Sequence, residues 1–94
     1  MNEYQVVCIR KPDRTNSHEH ITAIGVATTA GTQVWDRDSV IGMIDRNEAR
    51  FYTLDRGGRR VYVYVARVPG RHPWLQTYAD NQWGDNLLSV DECV

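Results

Sequence analysis

Ninety-four residues are enough for one domain around one core, near the lower end of comfortable size. No stretch approaches the roughly 20 apolar positions of a membrane span. The opening Met1–Cys8 lacks the basic-then-apolar layout of a secretory signal, so a cytoplasmic protein is expected.

A net charge of −1 conceals a strong segregation along the chain. Residues 46–72 hold seven arginines against Glu48 and Asp55, while residues 73–94 hold four acids and no Lys or Arg. Every basic residue except Lys11 is arginine. Codon usage is the plain explanation. The functional one is that guanidinium forks suit carboxylates, phosphates and aromatic rings. The two cysteines, Cys8 and Cys93, lie at opposite ends of the sequence. With no secretory signal, both are expected as free thiols, Cys8 buried within Val6-Val7-Cys8-Ile9.

Tyr4–Arg10 reads as the first strand, apolar on both faces except at Gln5. Residues 11–19 carry Pro12, Asp13, Asn16 and Ser17, the chemistry of a polar loop. A second strand spans Ile21–Thr28. Its interior Gly25 signals a bulge or a close backbone approach, and Thr29–Thr32 closes it. One helix is predicted over Arg37–Arg46, with Asp36 as N-cap. Val40, Ile41 and Ile44 form its apolar stripe, and Asn47 provides a left-handed stop.

Phe51–Leu54 is the next strand. Asp55-Arg56-Gly57-Gly58 is a hairpin signal, since glycine takes positive φ without a Cβ clash. It leads into Arg59–Arg67, the run on which the chain is organised. There Val61, Val63 and Val65 alternate with Tyr62, Tyr64 and Ala66, a strand period with valines toward a core and tyrosines on a second, semi-apolar face. Residues 69–73 form a turn before a fifth strand, Trp74–Tyr78. Residues 80–85 are turn-like, and Asn86–Val90 is apolar enough to dock on the core. The order β-β-α-β-β-β plus a docked tail predicts a single α+β domain over residues 1–94. It comprises one antiparallel, strongly curved sheet and one helix.

Several short patterns together resemble a known family. They are His18-Glu19-x-Ile21-Thr22, Thr77-Tyr78-Ala79-Asp80 and Asp85-Asn86-Leu87-Leu88-Ser89, with the final Glu92-Cys93. They resemble a family of small bacterial domains of unknown function, over nearly the whole chain. A proline often precedes the last Glu-Cys of that pattern, where this chain has Asp91, and His20 fills a variable position. The resemblance implies one compact bacterial domain and carries over no catalytic residue.

Other constellations lead to no assignment. His18, His20, Cys8 and Cys93 supply zinc-ligand types without the close Cys pairs of known zinc motifs, so no metal or other cofactor is expected. His18, His72 and Glu19 offer acid–base groups, but no nucleophile-plus-base spacing accompanies them. No catalytic residue is named, and a non-enzymatic role is expected. Asp80, Asp85 and Asn86 read as turn residues.

The arginine and aromatic group carries the functional reading. Arg60, Tyr62 and Tyr64 share one strand face, while Arg59 and Arg67 fall on the valine parity. With Arg71, His72 and Trp74 nearby, the segment has the chemistry that stacks bases and holds phosphates. The candidate ligand-binding residues are Arg60, Tyr62, Tyr64, Arg67, Arg71 and His72. The expected partner is an anionic ligand, a nucleotide or nucleic acid. Alternatively, the tyrosines pack under the helix or the tail and the arginines only rim the sheet. A different class stays open as well: an interaction module, self-associating as a homo-oligomer, that uses a sheet edge or a Trp/Tyr patch.

Overall fold

The computed structural model describes residues 2–11, 21–84 and 86–93. The His18-Glu19-x motif, His20 and Asp85 therefore lie outside the described residues. Strands β1 (Asn2–Arg10), β2 (Ala23–Thr28) and β3 (Gly31–Asp36) precede helix α1 (Arg37–Asp45). Then come β4 (Ala49–Leu54), β5 (Arg60–Ala66), β6 (Trp74–Ala79), β7 (Gln82–Gly84), a 3₁₀ turn (Asn86–Ser89) and β8 (Asp91–Glu92).

The strands form one open sheet in the order β3-β2-β1-β4-β5-β6-β7, with β8 also on β1. It is mixed, where an all-antiparallel sheet was expected: β4 and β8 both run parallel to β1. Among the described residues its ends are β3 and β7, and it is neither closed nor strongly curled. The cause lies in α1, which carries the chain from β3 back across the sheet so that β4 enters beside β1. A period-two pattern reports which face a side chain takes, not which neighbour its strand pairs with.

One edge of β1 serves two partners in succession, since Asn2–Gln5 pair with β4 and Cys8–Ile9 pair with β8. Its other edge pairs Val6–Arg10 with β2, and the register shifts between Val6 and Cys8 opposite Val26 and Gly25. That bulge reverses the face taken by later residues. Val6 and Ile9 consequently both reach the core, at 2% and 1% exposure. Gly25 thus sits where a bulge and a close approach coincide.

β3 was not anticipated. Thr29 and Ala30 form the turn, Gly31 takes φ 103°, and the chain returns along β2 from Thr28↔Gly31 to Ala23↔Asp36. Thr32, Gln33 and Val34 are all exposed, so this edge strand has no apolar alternation to betray it. Helix α1 matches its predicted bounds to one residue. The Asp36 carboxylate accepts from the Ser39 N–H at 3.0 Å and the Ser39 hydroxyl at 2.8 Å, and Asn47 takes φ 56°. Val40 and Ile41 bury against Phe51, Val63 and Leu75 on the inner sheet face. Ile44 is only half-buried.

The cysteines are not free thiols: Cys8 and Cys93 form a disulfide, their Cα atoms 4.9 Å apart. Distance along the sequence misled. Parallel pairing of β8 on β1 brings the two ends of the chain together. Cys8 is buried as expected, at 8% exposure. Leu87, upstream of β8, is fully buried in the core. No described helix is long and apolar enough to cross a membrane.

Candidate binding face

The β4–β5 hairpin fixes the site. Asp55 Oδ1 accepts from the Gly57 and Arg59 amides at 2.9 and 2.8 Å, and Gly58 takes φ 79°. The pairing that follows sets Tyr52 opposite Tyr62 and Leu54 opposite Arg60. Because the inner parity carries Phe51, Thr53, Val61 and Val63, all buried, the alternate residues lie on the face opposite the helix. Across the next strands, Gln76 stands opposite Tyr64 and Trp83 opposite Tyr78. Arg50, Tyr52, Arg60, Tyr62, Tyr64, Tyr78 and Trp83 thus share one outer face.

The rings form a row of two contacting groups along this face, Tyr52 with Tyr62 and Tyr64 with Tyr78 and Trp83. Tyr52 and Tyr62 are 6.0 Å apart between centroids, Tyr64 and Tyr78 6.1 Å, and Tyr78 and Trp83 5.0 Å, the last two pairs edge to face. Tyr64 and Trp83 each keep 48% of their surface exposed and Tyr78 keeps 37%. Beneath the row, Gln76 accepts from the Trp74 indole at 2.9 Å and donates to the Gly84 carbonyl at 3.1 Å, fixing β7 against β6.

Charge collects at the β1 end. Glu3 Oε1 accepts from Arg60 Nη1 at 2.7 Å and from the Tyr62 hydroxyl at 2.8 Å. The Arg60 guanidinium lies 4.3 Å from the Tyr52 ring centroid, and that of Arg50 lies 5.6 Å from the Tyr62 centroid. The Tyr62 hydroxyl, then Arg60 and the charge of Arg50, hold the Glu3 carboxyl below its ordinary value. Arg50 forms no ion pair with an acid among the described residues.

A slit opens beside Arg50. The β4–β5 ladder stops at Tyr52↔Tyr62, while β5 from Val63 onward pairs with β6. The slit, about 140 Å³, is lined by Ile44, Asn47, Ala49, Arg50, Tyr62, Val63 and Tyr64. It runs inward from the outer face to the end of α1. The half-buried state of Ile44 has its explanation here.

The six residues picked from sequence divide. Arg60, Tyr62 and Tyr64 come together on the outer face, uncovered by helix or tail. Arg67 instead bonds Asp45 at the end of α1 at 2.6 Å, and His72 lies 3.2 Å from Asp38 in its first turn. These two embrace the helix on the other side of the sheet. Arg71 is exposed in the turn between β5 and β6, where its amide donates to the Val68 carbonyl at 3.1 Å. Arg50, Tyr52, Tyr78 and Trp83 were missed. The Phe51-Tyr52 alternation held a signal for Arg50 and Tyr52, once Phe51 is taken as inward. Among the described residues no three His, Cys, Asp or Glu gather as metal ligands.

The chain belongs to the family described as Protein of unknown function (DUF3892), whose model matches residues 5–90. No curated protein and no solved structure matches it.

Proposed function

We propose that the domain is a non-enzymatic binding module whose outer sheet face takes a planar anionic ligand, a nucleotide or a single nucleic-acid strand. The observation that carries this reading is the coincidence, on one uncovered face, of Arg50, the slit and the exposed aromatic row. Aromatic faces stack bases in a sequence-tolerant way, and arginine supplies the phosphate contact. The slit, about 140 Å³, is well below the few hundred Å³ of a pocket that encloses a whole cofactor. It suits one base or one end of a ligand, the remainder lying along Tyr64, Tyr78 and Trp83.

Within this reading Arg60 and Arg50 exchange their expected parts. Arg60 is held by Glu3 and lies over Tyr52, so its contribution is to set the two tyrosines. Arg50, which pairs with no acid among the described residues, meets the anion. Labelled oligonucleotides and mononucleotides titrated at low and moderate salt provide the test. Each phosphate contact on a single strand contributes about −0.7 to the slope of log affinity against log salt. Arg50→Gln is expected to flatten the slope by about that amount and Tyr64→Ala to weaken binding at every salt. An absence of binding at low salt sinks the proposal, as does a slope indifferent to Arg50→Gln.

One observation favours a second reading, an interaction module. Among the described residues no guanidinium stacks on the Tyr64, Tyr78 or Trp83 ring, those that do lying over Tyr52 and Tyr62, and the β3 edge carries no charge from Gly31 to Trp35. Sedimentation at rising protein concentration separates the two readings. Self-association that is insensitive to salt and lost in Trp83→Ala supports the module, and a monomer throughout removes its self-associating form.

A further inference from the structure

We propose that the groove where β1 parts from β2 is a binding site for a neutral sugar, a pyranose unit held by Tyr4, Trp35 and Gln33. The β1–β2 ladder runs from Arg10↔Ala23 to Val6↔Val26, while nearer the N-terminus β1 pairs Asn2–Gln5 with β4 on its other edge. β2 continues to Thr28 beside β3. The opening between the two strands is a groove of about 650 Å³, walled by β1, β2, β3 and the β2–β3 turn. That volume falls within the roughly 300–1,000 Å³ of small-molecule sites. The slit on the outer face, at about 140 Å³, does not.

The walls are set before any ligand arrives. Gln33 and Trp35 stand opposite Val26 and Ile24, both fully buried, so they lie on the helix side of the sheet. Tyr4 packs on the same core, its ring 5.0 Å from that of Trp35 between centroids and at 84° to it. Both rings contact the buried Phe51, at 5.7 and 6.1 Å, which fixes them as a right-angled corner. The far wall is equally defined. The Thr28 hydroxyl donates to the Gly31 carbonyl at 2.6 Å and accepts from the Ala30 amide at 3.2 Å, and Gly31 takes φ 103°.

The lining selects the class of ligand. Among the described residues that line the groove, Glu3 is the only charged one, and its Oε1 is engaged by Arg60 and Tyr62 at 2.7 and 2.8 Å. A phosphate or carboxylate finds no cation among them, so the site differs in kind from the outer face. These residues offer aromatic surface together with neutral donors and acceptors, in the Gln33 amide, the Thr29 and Tyr4 hydroxyls and the Trp35 indole N–H. A pyranose has the matching pair of properties, a face of C–H groups and a rim of hydroxyls. Its C–H face suits the negative face of an aromatic ring, and its rim hydroxyls suit the amide and hydroxyl groups. Glu3 Oε2 adds an acceptor for one more of them.

The test titrates the full chain with the methyl glycosides of glucose, galactose, mannose and N-acetylglucosamine, and with their 1,4-linked disaccharides. Amide and indole shifts in NMR spectra report where each binds. At least one should bind in the millimolar range or tighter, moving the signals of Tyr4, Gln33 and the Trp35 indole. Its affinity should be the same at low and moderate salt, since no ion pair is formed. Gln33→Ala and Thr29→Ala, both at exposed positions that the fold does not depend on, should each weaken binding about threefold to tenfold. Arg50→Gln and Tyr64→Ala, on the outer face, should leave it unchanged, which separates the failure of this site from that of nucleotide binding. The proposal is overturned if no sugar moves these signals at high millimolar concentration. It is overturned equally if Gln33→Ala and Thr29→Ala leave binding intact, or if the shifts fall on Tyr64 and Trp83 instead. A preference for the corresponding sugar phosphates over the neutral glycosides also ends it, because the groove would then be reading charge.

Discussion

Gly25→Ala isolates the physical demand that the disulfide places on the sheet. Gly25 is not among the positive-φ glycines, so its backbone accepts an alanine. In a strand interior that exchange ordinarily gains about 0.5–1 kcal/mol, because glycine loses more chain entropy on folding. Here the added methyl has no room, for its nearest neighbours are the Cys8 sulfur and, at 2.9 Å, that of Cys93. Over-packing a buried site of this kind destabilises by about 1–3 kcal/mol. With both sulfurs removed, the next neighbour is Thr32 Cγ2 at 3.4 Å, an ordinary contact. The same substitution should therefore change sign in a Cys8→Ala, Cys93→Ala background. Urea melts of the four proteins, followed by tryptophan fluorescence, form a double-mutant cycle. The coupling is expected at about 2 kcal/mol. Equal effects in the two backgrounds, within half a kcal/mol, would refute the claim that the sulfurs set this space.

The other predictions are shorter. Phe51 is fully buried beneath Tyr4 and Trp35, and Phe51→Ala should lose about 3–5 kcal/mol in a urea melt. Ile44→Ala, at the slit, should lose less than about 2 kcal/mol, because a half-buried side chain forfeits only part of the transfer and cavity terms. If Ile44 proves as severe as Phe51, the slit is closed in solution. Glu3, Asp36 and Glu48 all have carboxyls held below their ordinary values, chiefly by Tyr62, Ser39 and Arg46 in turn. A depressed folded-state pKa gives stability that is complete above the unfolded value and lost as pH falls through the folded one. Stability due to these groups should thus be flat above the ordinary values of 4.5 for the glutamates and 3.8 for Asp36 and decline below them. Glu3→Gln should remove part of that acid slope, and an unchanged slope would show the Glu3 contacts to be absent in solution.

The parts of the fold legible in sequence were those with a local cause. The helix could be placed because Asp36 caps it and Asn47 ends it. The β4–β5 hairpin could be placed because Asp55 and Gly58 dictate its turn. The parts that were not legible depend on partners distant in the chain. Nothing in Ala49–Leu54 announces β1 as its neighbour, and nothing in Asp91–Glu92 announces a strand at all. The short β7 hairpin was read as one continuous turn. Only Asp80 and Asn81 turn, at φ 53° and 63°, before Gln82–Gly84 pairs with β6. The disulfide was missed for the same reason, since compartment and sequence distance were weighed where spatial pairing decided.

The candidate site shows how far strand parity carries a functional argument. Parity placed Arg60 with Tyr62 and Tyr64 and set Arg59 and Arg67 on the other side. The ion pairs agree, for Arg67 reaches Asp45 of the helix. Parity could not say which arginine is engaged by an acid. Glu3 comes from a strand 57 residues away from Arg60, and it converts the arginine that sequence favoured into a support for its neighbours. Arg59 is similarly engaged, by Asp55 at 3.4 Å and Asp80 at 3.3 Å. A segment with seven arginines therefore offers the outer face far less free charge than composition implies. The aromatic row, assembled from four strands, is the larger feature of that face. Any ligand of this surface should accordingly owe more of its affinity to ring contact than to charge. For that reason Tyr64→Ala is expected to be more damaging than Arg50→Gln at moderate salt, where screening has already weakened the ionic contact. The reverse order in the titrations would mean that charge, not stacking, governs the face.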